Sequence, residues 1–324
     1  MGEAVEVAKV LVDPVMKLLD MVGSAAGTIY GPHHLRKMAD AEAYKIKTLG
    51  SAMSEIPMLP TSYDNGSIAL SSTDTDDLIK RAEMREKFQK VREQKNIENV
   101  IGYAQQELQG MGQVPDTPVD EDWLTRLLNN AKEVSSETMQ FIWGKILAGE
   151  IATPNSFSKR TLDTIRNLSQ YEANVFQNML PYIVCVGGAM AITSKDIIHK
   201  MHGIRYGDIL LLDECGLMTS GIGVSLNVDV KEESSVVAHN EDLLLLAHCS
   251  PEQSQKISIS LHNLTKAGYE LYKILVHENN SEYFLDWAKD VAQKYRTVQF
   301  AVHKINSISE EFIDYEDSAI ITLN

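Results

Sequence analysis

The run DLIKRAEMREKFQKVREQKNIENVIGYAQQELQ, residues 77–109, decides the architecture of this chain. Charges of both signs crowd it and apolar residues are sparse, so it reads as one long helix with a narrow apolar seam. Phe88, Val91, Ile97, Ile101, Ala104 and Leu108 carry that seam, and its heptad phase slips near Val91. Two arrangements fit: a helix packed along its own chain, or an intermolecular coiled coil.

On the amino-terminal side, residues 57–77 hold Pro57, Pro60, Asn65-Gly66 and a Ser/Thr/Asp cluster from Ser71 to Asp77, which together predict a linker or long loop. Residues 1–56 read as a helical region. A short amphipathic helix spans Glu3 to Val12. Asp13 and Pro14 open a second helix that stops at Gly31-Pro32, and His33 to Glu55 forms a third. Gly23, Gly27 and Gly31 fall on one face of the second helix, spacing that lets another backbone approach closely. The face serves packing inside the fold, or else self-association or membrane insertion. Lys9, Asp13, Lys17 and Asp20 shorten the apolar run and favour packing.

Toward the carboxyl terminus, residues 78–181 combine the long helix with a compact helical block. Gly110, Gly112, Pro115 and Pro118 end the long helix, and Asp120, Glu121 and Asp122 place negative charge where the next helix dipole favours it. Ser135-Ser136-Glu137 opens another helix, and Trp123 and Trp143 fall on apolar faces as core anchors. Two further helices, Ser158 to Leu168 and Ser169 to Leu180, close the block.

Residues 182–324 change texture and predict a winged-helix-like α+β domain with a small antiparallel sheet. Ser194 to Met201 and Tyr206 to Glu214 form a helix pair capped by Gly216. Strands are expected at Gly221 to Val230, Leu243 to Ala247, Ile257 to Leu261, Val298 to Ile305 and Ala319 to Leu323, with helices at Lys266 to Val276 and Tyr283 to Tyr295. The fold class is therefore mainly α with a carboxy-terminal α+β region. Helices that read DNA carry arginine and lysine, whereas Tyr206 to Glu214 carries Asp208, Asp213 and Glu214 and no basic residue.

Composition narrows the partners. With 45 acidic against 30 basic residues the chain has a formal charge of -15, a field that repels phosphate backbones and anionic lipid surfaces and disfavours nucleic acid as a partner. Cys185, Cys215 and Cys249 lack the paired spacing of a zinc site and read as reduced thiols of a reducing compartment. Glu3 and Glu6 precede any basic residue, the wrong start for a secretory signal, and no stretch approaches the roughly 20 apolar residues of a spanning helix. A cytoplasmic protein is expected.

No phosphate-binding loop, nucleophile elbow or paired-cysteine motif occurs, and Gly187-Gly188 lacks the third glycine of a dinucleotide site. His199 with His202 lack a nearby carboxylate or cysteine to complete a metal set, and His239, His248 and Cys249, which could meet across a strand pair, have only a generic spacing. Asp116, Asp120, Glu121 and Asp122 are explained by helix capping. No catalytic residue, cofactor or metal is predicted, and the chain is read as a non-enzyme.

Several motifs occur in order: Glu121-Asp122-Trp123, the run from Phe141 to Glu150 (FIWGKILAGE), Leu162 to Tyr171, Leu168 to Ala173, Leu212 to Leu217 and Leu264 to Leu271. On these residues the chain resembles a bacterial domain family that in turn is similar to the abortive infection alpha proteins. The resemblance implies bacterial anti-phage defence and transfers no catalytic residue. The expected function is protein–protein contact and oligomerisation in that setting. The alternatives are a membrane-acting effector using the glycine-rich amino-terminal helices, and a metal-dependent nuclease with an unrecognised acidic site.

Overall fold

The computed structural model describes residues 11–26, 61–64, 67–70, 75–220, 225–230, 235–249, 255–309 and 312–323. The chain divides into two compact units, Met1–Ser156 and Phe157–Asn324. The first is helical and the second is built on an antiparallel sheet.

In the first unit, β1 (Leu11–Val12) pairs antiparallel with Val114–Pro115. Leu11 and Val12, expected at the end of a first helix, are therefore strand; the rest of that helix lies outside the described residues. α1 (Pro14–Ala26) begins as its sequence predicts, with Asp13 Oδ1 accepting from the Met16 N–H at 2.9 Å. Its apolar face buries Leu18, Leu19 and Val22. Lys17 is buried with them, its Nζ donating to the carbonyls of Pro115 at 2.7 Å and Ile151 at 3.2 Å. Burial pulls its pKa down, with Asp116 and Glu150 acting against that.

The stretch expected as a linker holds a hairpin, β2 (Thr61–Asp64) and β3 (Ser67–Leu70), with Asp64 opposite Ser67. The intervening Asn-Gly dipeptide is the strongest short-range hairpin signal and outweighs its reading as a breaker. The expected third helix, His33 to Glu55, lies outside the described residues.

α2 (Thr75–Gln109) is the predicted long helix, 35 residues in one piece. After β4 (Val114–Pro115) come α3 (Glu121–Ala131), whose Trp123 N–H is capped by Asp120 at 2.7 Å, and α4 (Glu137–Ala152). Trp123 and Trp143 are buried as core anchors. α4 crosses the carboxyl half of α2 at Gly144, where an added Cβ would meet Tyr103 Cβ at 2.5 Å and the Ala104 nitrogen at 3.0 Å. A buried amide cluster fixes the register of this crossing: Gln140 donates to Asn96 Oδ1 at 3.1 Å and to the Val134 carbonyl at 2.8 Å, and accepts from Asn99 at 3.0 Å. Asn96 in turn donates to the Lys132 carbonyl at 2.8 Å.

The second unit begins with α5 (Lys159–Arg166) and α6 (Gln170–Met179). These two helices, assigned by sequence to the helical block, belong with the sheet instead. Glu270, buried, accepts from the Ser158 N–H at 2.9 Å and from the Thr161 hydroxyl, which ties the start of α5 to a helix more than 100 residues later in the chain. Next comes a hairpin that the sequence did not predict, β5 (Val184–Val186) and β6 (Ala189–Thr193). Its turn is Gly187-Gly188, with φ of +56° and +84°, the left-handed pair that a two-residue hairpin requires.

α7 (Asp196–Met201) and α8 (Tyr206–Glu214) follow as the expected helix pair, and α8 ends at Gly216 with φ +73°. The strands β7 (Met218–Thr219), β8 (Ser225–Val230), β9 (Ser235–His239), β10 (Leu243–His248) and β11 (Gln255–Leu264) lead into α9 (Lys266–Tyr272) and α10 (Ser281–Lys294). Then β12 (Gln299–Ile308), β13 (Ile313–Tyr315) and β14 (Ile321–Leu323) complete the sheet. The order is β13-β12-β10-β9-β5-β6-β11-β7, with β14 on β12 and β8 on β11. Leu243 to Ala247, expected as a central strand, are all buried in β10.

The crossing at Gly144 makes a stability prediction. Alanine gains up to about 1 kcal/mol of helix propensity over glycine, yet its methyl overlaps Tyr103. Gly144→Ala is expected to destabilise the chain by about 1–3 kcal/mol in urea unfolding. A variant as stable as the wild type would mean that the two helices separate freely.

Candidate functional site

The two halves of α2 have different surroundings. Ile101, Ala104 and Leu108, the carboxyl half of the predicted seam, are buried within the first unit, and Ile97 is half-buried. The amino half is open: Phe88 is 41% and Val91 67% exposed, and Leu78 and Ile79 are exposed as well. From Arg85 to Arg92 every residue is exposed, so all faces of the helix meet solvent there. Local pairs one turn apart support this projecting stretch. Glu86 and Lys90 lie 2.6 Å apart, Gln89 donates to Glu93 at 2.7 Å, and Gln94 donates to Glu98 at 2.9 Å. The Lys90 ammonium holds the Glu86 carboxyl below its ordinary range, and Glu86 raises Lys90 in return.

Charge is sorted around this stretch. Residues 80–95 hold seven lysines and arginines against three glutamates, a net +4, which leaves -19 on the rest of a chain whose total is -15. At 3.6 residues per turn, Met84, Phe88 and Val91 fall in one stripe, spaced i, i+4, i+7. Lys80 and Lys87 flank it on one side and Arg81, Arg85 and Arg92 on the other. Glu83, Glu86 and Glu93 share the opposite face with Lys90. Mixed in sequence order, these charges separate by helical angle and leave a basic, apolar-striped face.

Of the glycines predicted to mediate helix contact, Gly23 lies in α1 and is half-buried, while Gly27 and Gly31 lie outside the described residues. A close helix–helix approach among the described residues is at Gly144, within the FIWGKILAGE run. Among the described residues no helix is long and apolar enough to cross a membrane.

In the second unit the histidines separate from their sequence neighbours. His199 Nε2 bonds the Thr193 carbonyl and so carries the proton, whereas His202 Nε2 turns to Asp286 Oδ2 at 3.1 Å. His199 faces His262 of β11, ring centroids 6.2 Å apart, and both rings are buried with Nδ1 unpartnered. His239 and His248 sit at opposite ends of the β9–β10 ladder. Among the described residues no group of three or more His, Cys, Asp or Glu side chains is placed to hold a metal ion.

A cleft of about 430 Å³ lies between α5 and the end of α8, lined by Arg160, Thr164, Asn167, Glu172 and Cys215. Burial, then Glu172, pushes the Cys215 thiol up to about 11, so it stays protonated at neutral pH and is a poor nucleophile. Glu172 is itself occupied in a capping box with Ser169. All three cysteines are free thiols.

Fold and surfaces together define an α+β protein whose helical unit carries an exposed stretch of α2 with a basic face and whose second unit is a helix-decorated antiparallel sheet. The chain belongs to the family described as Protein of unknown function (DUF2806), whose family model matches residues 80–287. No curated protein and no solved structure matches the chain.

The histidine pair has a pH consequence. Burial lowers the pKa of His199; burial and then His199 lower that of His262. Unfolded imidazoles bind protons below about pH 6.5 while the folded pair stays neutral, so stability is complete above that pH and falls as the pH drops. The slope is up to about 1.4 kcal/mol per pH unit for each ring. Denaturant midpoints between pH 7.5 and 5 check this: His199→Gln with His262→Gln is expected to flatten the profile, and an unchanged slope would assign it to other groups.

Proposed function

We propose that the chain is a cytoplasmic, non-catalytic protein that acts by protein contact, in the setting of bacterial anti-phage defence of the abortive-infection type. The observation that carries the contact reading is the stretch of α2 from Arg85 to Arg92, exposed on all faces and striped with Phe88 and Val91 on a basic side. A solvated helix needs no such stripe, and exposed aromatic and aliphatic side chains ringed by arginine are typical anchors of protein interfaces. The setting rests on the sequence resemblance to a bacterial domain family that in turn is similar to the abortive infection alpha proteins.

The second unit supports the same reading. Helix pair α7–α8, preceded in the chain by β6 and followed by β7, beside the neighbouring strands β6-β11-β7, is consistent with a winged-helix-like element, with β9 and β10 inserted between β8 and β11. Its second helix bears Asp208, Asp213 and Glu214, which suits a protein partner better than a phosphate backbone.

The test is plating of a phage panel on bacteria expressing the full chain. Protection is expected with the wild type and is expected to fall to that of cells carrying an empty vector with Phe88→Asp and Val91→Asp, at equal soluble protein. Protection indifferent to both substitutions would remove the contact reading.

A further inference from the structure

We propose that the basic face of α2 docks on the acidic edge of the sheet, formed by β13 and β14, in a second copy of this chain. The inference rests on the contact reading above and names its partner. Self-pairing of α2 through the Phe88–Val91 stripe is disfavoured, because Lys80, Lys87, Arg81, Arg85 and Arg92 flank that stripe on both sides and two copies would set like charges together. The partner surface has to be acidic and partly apolar.

The edge of the sheet meets both requirements. Past Lys304 the sequence holds no lysine or arginine, and Asp314, Glu316 and Asp317 are all exposed. Ile308, Phe312 and Ile320 are exposed among them, Phe312 at 64%. The backbone gathers these groups along one strand. Ile308 pairs with Ile313, Ser309 bonds Phe312 in the turn, and the Ile320 N–H reaches the Val302 carbonyl at 2.7 Å. Lys304 is paired there, 3.7 Å from Glu316.

Lengths agree as well. From Val302 to Ile308 the edge runs roughly 20 Å, and the basic face from Lys80 to Lys95 runs roughly 22 Å. The positive, apolar-striped face of residues 80–95 thus matches a negative, apolar-studded edge of similar length, and both are largely exposed in the single chain. Nucleic acid matches the charge of the helix but offers no apolar counterpart to Met84, Phe88 and Val91, and the remaining -19 repels it. Because helix and edge are different surfaces, the contact is heterologous: two copies close it reciprocally or further copies extend it.

Light scattering on the full chain at about 50 mM salt, where surface charges are weakly screened, tests the proposal. Wild type is expected at twice its 36.1 kDa or above, with affinity weakened at least about tenfold by raising salt to physiological levels and beyond. A chain with Arg81→Glu, Arg85→Glu and Arg92→Glu is expected to be monomeric, as is one with Asp314→Lys, Glu316→Lys and Asp317→Lys. A one-to-one mixture of the two restores the wild-type mass, which a folding defect in either would not allow. Monomeric wild type, a helix swap that leaves the mass unchanged, or a mixture that stays monomeric overturns the proposal. So does binding of a DNA duplex or phosphatidylglycerol vesicles by monomeric wild type that the helix swap abolishes. A monomeric wild type whose phage protection still depends on Phe88 and Val91 overturns self-docking alone; assembly without any effect on protection removes the contact reading and keeps self-docking.

Discussion

The close crossing of α2 and α4 at Gly144 is the constraint on which the first unit depends. With a methyl in place of the glycine hydrogen, the Tyr103 side chain and the Ala104 backbone would have to move. The amides of Asn96, Asn99 and Gln140 then lock the helices against sliding, since a shift of one residue would leave several buried polar groups unpaired. Lys145 adds a bond to Glu107 at 2.9 Å on the same interface. This clamp grips only the carboxyl half of a 35-residue helix. Beyond the clamp, the stretch from Arg85 to Arg92 is exposed throughout.

The second unit is organised by turns. Gly187-Gly188 reverses the chain within two residues, Gly216 ends α8, and Gly268 lets α9 start against the Leu217 carbonyl, where a Cβ would lie 2.0 Å away. The Thr265 hydroxyl donates to the Gly216 carbonyl at 2.6 Å and accepts the Gly268 N–H, so the end of one helix and the beginning of another share a single joint. That joint brings β7 beside β11 and keeps the helix pair on the sheet.

Much of the fold was legible because its signals are local. Asp13-Pro14, Asp120 to Asp122 and Gly216 mark helix ends through groups within a few residues, and the apolar run of β10 reads as buried strand. What stayed hidden depends on partners distant in sequence. Leu11 and Val12 are strand only because Val114 and Pro115 lie beside them, and α5 joins the sheet unit through Glu270. Gly187-Gly188, which lacks the third glycine of a dinucleotide site, is a hairpin turn with positive φ at both residues, a conformation glycine adopts without strain. For the contact surface, the composition of residues 80–95 was plain, but its meaning depended on which half of α2 is covered, and periodicity does not tell that.

The family match stops at residue 287, inside α10, while the sheet does not. β10, whose Leu243 to Ala247 are buried, is bonded on one side by β9 and on the other by β12, whose residues 299–304 lie beyond the match. A chain cut to the matched stretch would leave a long, apolar strand with a row of open hydrogen-bonding groups, a template for aggregation. Homology and folding thus draw different borders on this protein. A fragment meant to behave in solution has to follow the second.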